Sequence, residues 1–125
     1  MAGRVVHFEV PYDDADRAGR FYADLFGWQL MPMPEMGYTI VMTGPTDQES
    51  GPTESGFING GMFSRDEPGR GPNIVIDVDD IDTTLAAVEK AGGKTQSGKQ
   101  PVGDMGFAAY FTDSEGNIVG LWQNA

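Results

Sequence analysis

The chain contains one histidine, His7, in the run Arg4-Val-Val-His-Phe-Glu-Val10, two positions before Glu9. Side chains alternate across a strand, so His7 and Glu9 share one face, where an imidazole and a carboxylate could act as acid and base. A second run, Gly71-Pro-Asn-Ile-Val-Ile-Asp-Val78, reads as a copy, with Asn73 in the place of His7 and Asp77 on the matching face. Other reactive groups are scarce. Without cysteine there is no thiolate chemistry and no disulfide framework. No serine stands in a Gly-x-Ser-x-Gly context, and neither glycine-rich phosphate motif follows a strand. His7 and Glu9 are therefore the candidate catalytic residues, with Asp77 as a third group able to face the same cavity. The plainer expectation is a hydrogen-bonded structural histidine, with both carboxylates near strand ends and in contact with water, because Asp and Glu are seldom fully buried.

The elements that position these residues follow from pattern. Val6, Phe8 and Val10 form the apolar face of the first strand, and Pro11, which lacks an N–H, is expected to end its ladder. Asp14 is a good N-cap for a helix over Ala15–Phe26, with Ala18, Phe21, Leu25 and their neighbours Tyr22 and Phe26 as an apolar stripe and Gly27 as its left-handed stop. Residues 28–31 and Tyr38–Met42 read as strands separated by a turn at Pro32, Pro34 and Gly37. Residues 44–55 have nothing apolar to anchor them and read as a mobile loop, either a lid or a disordered excursion. Residues 56–63 form a glycine-weakened strand, and residues 64–71 a linker. The order then repeats: a strand at 73–78, an N-cap at Asp80, a helix striped by Ile81, Leu85 and Val88, and strands at 94–97, 105–112 and 118–123.

Composition narrows the partners. Nineteen acidic residues against eight basic give a net charge of −11, which repels phosphate backbones and anionic lipid, so neither nucleic acid nor membrane is an expected partner. No apolar run approaches the roughly 20 residues needed to cross a bilayer, and the N-terminal Met-Ala-Gly-Arg lacks the apolar stretch of a signal peptide. A soluble, cytoplasmic protein is the expectation. The length suits one domain with a real core.

The repeat is the strongest pattern. The interval from Asp14 to Asp80 equals that from Gly27 to Gly93, so both helices start and stop in register. Glu35-Met-Gly-Tyr38 is echoed by Asp104-Met-Gly-Phe107 at a slightly longer interval, and Gly60 is matched with Gly120 at the end of the series. Each half reads β-α-β-β-β and is too small to bury its own sheet face, so the two should pack together. This gives one α+β domain over residues 1–125, made of modules at about 1–63 and 72–125 joined by the linker 64–71.

These features together resemble the vicinal oxygen chelate superfamily, which includes glyoxalase I, extradiol dioxygenases and bleomycin-resistance proteins. The resemblance rests on His7-Phe-Glu-Val-Pro11, Asp14, Arg20-Phe-Tyr22, Leu25-Phe-Gly-Trp28, Val78-Asp-Asp-Ile-Asp82, Ala91-Gly-Gly93 and Phe111-Thr-Asp-Ser-Glu-Gly-Asn117. It implies tandem βαβββ modules whose mixed sheets curl round a central cavity with the helices outside. In metal-dependent members each module supplies one ligand near the start of its first strand and one on its last. The matching positions here hold His7, Asn73, Gly60 and Gly120, so one ligand of the four remains, too few for a divalent ion. The resemblance then implies a glyoxalase- or bleomycin-resistance-like protein that binds a small apolar or aromatic molecule without a catalytic metal or other cofactor. The expected ligand-binding residues are His7, Tyr38, Gly60, Asn73, Tyr110, Gly120 and Trp122, with Gly60, Gly61 and Gly120 leaving open volume between aromatic walls. The alternative is a lyase, isomerase or dioxygenase using His7 and Glu9. Homodimerisation is expected, since relatives often pair.

Overall fold

The computed structural model describes residues 3–125, which group into two compact units: His7–Pro72, and residues 3–6 with Asn73–Ala125. The first unit carries β1 (Val5–Tyr12, whose first two residues group with the second unit), α1 (Ala15–Phe26), β2 (Gln29–Met33), β3 (Tyr38–Met42), β4 (Thr46–Asp47), β5 (Gly51–Pro52) and β6 (Asn59–Ser64). The second carries β7 (Asn73–Asp77), α2 (Ile81–Lys90), β8 (Lys94–Val102), β9 (Gly106–Thr112) and β10 (Ile118–Asn124).

Within the first unit the strand order is β2-β3-β6-β1, with β1 parallel to β6 and the other pairs antiparallel. Within the second it is β7-β10-β9-β8, again with one parallel pair, β7 and β10. Each unit is therefore a βαβββ module of an α+β fold. The first has an additional hairpin.

Both helices form where the caps placed them. Asp14 Oδ1 accepts from Arg17 N at 3.0 Å and Asp80 Oδ1 from Thr83 N at 3.2 Å, each satisfying an amide that the first helical turn leaves without a partner. Gly27, at φ +74°, ends α1 with its N–H on Ala23 O. In the second unit Ile81 and Leu85 of α2 close on Ala109 and Leu121 of the sheet, with Ile76, Val78, Phe107 and Phe111 around them. In the first unit the core lies between α1 and the sheet, at Val41, Met62 and the stack of Phe8, Trp28 and Tyr22.

Three expectations need correction. β1 runs through Pro11, which faces Phe63 in register, and Arg65 N extends the ladder to Tyr12 O at 2.9 Å. Only alternate residues of a strand bond to a given neighbour, so a proline can be passed without breaking the pairing. Residues 44–55 are not a free loop. They hold the β4–β5 hairpin, turned by Asp47 Oδ1 accepting from Glu49 N and Ser50 N, and held down by Asn59 Nδ2 donating to Thr46 Oγ1 at 2.8 Å. The linker is anchored as well, by Arg65 Nε on Asp13 Oδ1 at 2.9 Å and by the buried Arg70 guanidinium lying over the Phe63 ring. Finally, the apolar stripe on α1 is core only in part. Phe21, Leu25 and Phe26 are exposed.

Candidate functional site

Strand register settles which side chains share a face. Glu9 lies opposite Gly61, and Gly61 in turn opposite Ile40, while Phe63 lies opposite both Pro11 and Tyr38. His7, Glu9, Tyr38, Ile40, Gly61 and Phe63 therefore occupy one face of the first sheet. Phe8, Gly60, Met62 and Val41 occupy the other, which α1 covers. Gly60 is thus on the core side and does not belong with His7. A Cβ there would lie 2.5 Å from the Phe8 carbonyl oxygen.

On the face opposite α1 three polar side chains meet. His7 Nε2 is 2.7 Å from the Tyr38 hydroxyl, which donates to Glu9 Oε2 at 2.9 Å. A phenol has one hydrogen, and here it goes to the carboxylate. The bond to His7 must then run from Nε2–H to the phenol oxygen, which fixes the tautomer. His7 is half-buried, and this burial lowers its pKa below the ordinary 6.5, while the Glu9 carboxylate pulls the other way. Glu9 is only 5% exposed. The expected water contact near a strand end is wrong for Glu9, because Tyr38, from a different strand, covers it.

Gly61 is the reason that this contact forms. A Cβ at Gly61 would fall 1.9 Å from the Tyr38 hydroxyl, so the phenol occupies the space of the side chain that Gly61 lacks.

The second unit shows the same register without the polar chain. Gly120 lies opposite Val75 and Tyr110, and Trp122 opposite Asp77 and Ala108. Glu9 and Val75 are separated by the same interval as the caps Asp14 and Asp80, so Gly61 and not Gly60 is the repeat partner of Gly120. By the same matching Tyr38 corresponds to Ala108, Ile40 to Tyr110 and Phe63 to Trp122. Asn73, Tyr110, Gly120 and Trp122 thus share one face. Asn73 is buried, its Nδ2 donating to Ile74 O at 3.1 Å, and Trp122 Nε1 donates to Asn124 Oδ1 at 2.8 Å. Asp77 is half-buried, with its backbone tied to Gly3 and Arg4. Gly120 leaves no void either: a Cβ there would meet Val75 at 3.0 Å and Tyr110 at 3.2 Å. The expectation that the three glycines leave open volume is overturned, since Phe8, Tyr38 and Tyr110 take the space. Sequence reasoning had Tyr38 on the right strand but missed its role, for which the only signal was the adjacent pair Gly60-Gly61.

The metal that the superfamily resemblance implies in some members does not fit these residues. Of the four ligand positions two are Gly61 and Gly120 and one is Asn73. Nε2 of the remaining one, His7, is engaged by Tyr38, and a longer side chain at Gly61 would collide with the same phenol. Among the described residues no three His, Cys, Asp or Glu side chains are placed to hold one ion.

Comparison with known proteins agrees with the fold and motifs. The family model for the bleomycin resistance protein-like N-terminal region matches residues 4–44. A glyoxylase-like domain-containing protein of Didymella fabae is 35% identical over 122 residues, covering 94% of this chain and 91% of the relative. A probable lactoylglutathione lyase of Vibrio parahaemolyticus is 31% identical over 126 residues, covering 98% and 91%. Among solved structures, Streptomyces coelicolor methylmalonyl-CoA epimerase in complex with 2-nitronate-propionyl-CoA superposes with a TM-score of 0.66 at 17% identity, over 100% of this chain and 96% of that one. That last likeness speaks for the fold and shows a neighbour that takes a small-molecule ligand. Paired βαβββ modules, the matched N-terminal region and full-length identity above 30% agree: the chain belongs to the vicinal oxygen chelate superfamily, as a glyoxalase- and bleomycin-resistance-like member.

Proposed function

We propose that the chain binds a small molecule with an apolar or aromatic body and one polar group, on the face that carries His7, Tyr38 and Glu9, without a catalytic metal. The supporting observation is the hydrogen-bonded chain His7–Tyr38–Glu9, on the same sheet face as Ile40 and Phe63, opposite α1. Apolar walls supply area and a few convergent polar groups fix orientation, the usual division of labour in such sites. The phenol gives its hydrogen to Glu9, so the network is satisfied before any ligand arrives and holds its groups in place. On the second module Asn73, Tyr110, Gly120 and Trp122 are the proposed ligand-binding residues. We also take the protein to be cytoplasmic and homodimeric. A chain with no cysteine has no extracellular disulfide framework, and no helix among the described residues is long and apolar enough to cross a membrane.

One observation favours a second reading, proton transfer of the lyase or isomerase type. Burial holds His7 neutral near pH 7, the state a general base needs, and Tyr38 links it to a carboxylate. Relatives named lactoylglutathione lyase and methylmalonyl-CoA epimerase point to the same class of chemistry.

The test is thermal unfolding of wild type, Tyr38→Phe and His7→Ala against small aromatic carbonyl compounds, on protein first assayed for zinc, nickel, manganese and iron. The binding reading expects stabilisation of wild type that both variants lose, with no stoichiometric metal. Stoichiometric metal lost on His7→Ala would overturn it, as would stabilisation unchanged in both variants. Turnover of a bound compound that Tyr38→Phe slows would favour the second reading.

A further inference from the structure

The apolar face of α1 points away from the sheet that it covers. It approaches the sheet through its one buried residue, Gly19, where a Cβ would come within 2.9 Å of Leu30 Cδ1. Its large apolar residues face outward: Phe21 is 55% exposed, Leu25 61% and Phe26 63%. In α2 the arrangement is the usual one, with Ile81 and Leu85 buried. Phe21 and Leu25, one helical turn apart, sit together and form one protrusion, whereas Phe26 lies further round the helix beside Tyr22 and Trp28. The protrusion presents roughly 200–250 Å² of apolar surface. Phe21 is also one wall of a groove of about 290 Å³ toward the start of the helix, whose other lining residues include Tyr12, Arg17, Ala18, Tyr22 and Arg65.

We propose that this face is where a second copy of the chain docks, with the two α1 helices running antiparallel across a two-fold axis. The proposal rests on the homodimer reading above and names the surface. Leu25 and the groove lie along one face, the groove starting at Phe21, one helical turn before Leu25. A two-fold axis near Phe21 therefore sets each copy's Leu25 over the other copy's groove, as a self-complementary interface requires. The charges match under the same operation. Arg17 stands at the groove end and Asp24 at the protruding end, so reversal brings each beside its opposite twice. Two chains of net charge −11 repel at long range, so these local pairs set the orientation while the apolar contact supplies the attraction. The protrusion alone is about a quarter of what a stable dimer buries per copy, and the groove walls supply more.

Sedimentation equilibrium on the full chain tests this, with Leu25→Glu, Phe21→Ser, Arg17→Asp, Asp24→Arg and the Arg17→Asp/Asp24→Arg double variant. Far-UV circular dichroism checks that each is folded, which the exposure of these residues leads one to expect. Wild type should be a dimer at micromolar concentration, and Leu25→Glu and Phe21→Ser monomers, a loss of roughly a hundredfold or more. Each charge reversal should weaken the dimer about tenfold, and the double variant should recover most of that. A wild type that stays monomeric overturns the homodimer reading itself. A dimer that folded Leu25→Glu and Phe21→Ser leave intact keeps that reading and overturns this surface. Dimers broken by Leu25→Glu but not recovered in the double variant overturn the antiparallel arrangement.

Discussion

The Tyr38 hydroxyl joins His7 to Glu9, and the consequences can be measured one side chain at a time. Tyr38→Phe takes one hydrogen bond from each of Glu9 and His7 on a half-buried face. Urea unfolding should show a loss of about 1–3 kcal/mol with an unchanged slope. The two adjacent glycines should behave differently. Gly60→Ala drives a Cβ into backbone at the Phe8 carbonyl, so it should destabilise by about 1–3 kcal/mol and leave the polar chain in place. Gly61→Ala meets only the end of the Tyr38 side chain, which can swing away. It should therefore cost less stability while abolishing ligand-induced stabilisation, and thermal unfolding with and without ligand reads both. His7 also sets a pH dependence. Its pKa in the folded chain lies below the ordinary 6.5, so the unfolded chain binds more protons between those two values. Stability should be full above about pH 6.5 and fall as pH drops toward the folded value, a slope that His7→Gln removes. Asp14, Asp47, Glu89 and Asp113, each held below the usual carboxylate range first by backbone N–H donors, add a separate loss at more acid pH, through their depressed values, that His7→Gln leaves untouched.

Secondary structure shows what could be read in the chain and what could not. Caps are local, so Asp14, Asp80 and Gly27 marked their helix ends correctly. Register is not local. Two consecutive glycines on a strand give no sign of which faces the helix, and the hairpin between β3 and β6 breaks any count carried from the first half to the second. Only pairing with β1 shows that Gly61 matches Gly120. The echo Glu35-Met-Gly-Tyr38 and Asp104-Met-Gly-Phe107 misleads by a single position. The ladders match Tyr38 with Ala108, whereas the echo matches it with Phe107, so Tyr38 faces outward while Phe107 packs on the α2 core. Burial of Glu9 was illegible for a related reason, since its cover comes from another strand. The helices carry a further contrast. Leu85→Ala empties a core position in the second unit and should cost about 2–5 kcal/mol in denaturant. Leu25→Ala, measured where the chain is monomeric, should change stability by no more than about 0.5 kcal/mol, although helical spacing gives both the look of core residues.

For the molecule as a whole, the two modules keep a common register and differ in what it displays. The first holds imidazole, phenol and carboxylate where the second holds Asn73, Ala108 and Val75. At both last-strand positions stands glycine, and in each module a tyrosine closes on it, Tyr38 on Gly61 and Tyr110 on Gly120. The superfamily's scaffold is thus retained while aromatic rings fill the space beside both last-strand glycines, which is the physical basis for proposing recognition of an organic ligand without a metal. The single histidine makes this open to observation, because one imidazole gives one ring Hε1 resonance. Titrating the protein with a small aromatic ketone that raises its melting temperature should move that resonance saturably, with the midpoint of the thermal effect, and Tyr38→Phe should abolish both. A compound that stabilises the protein to saturation while the His7 resonance stays fixed would show that binding takes place elsewhere, and the proposed site would be wrong.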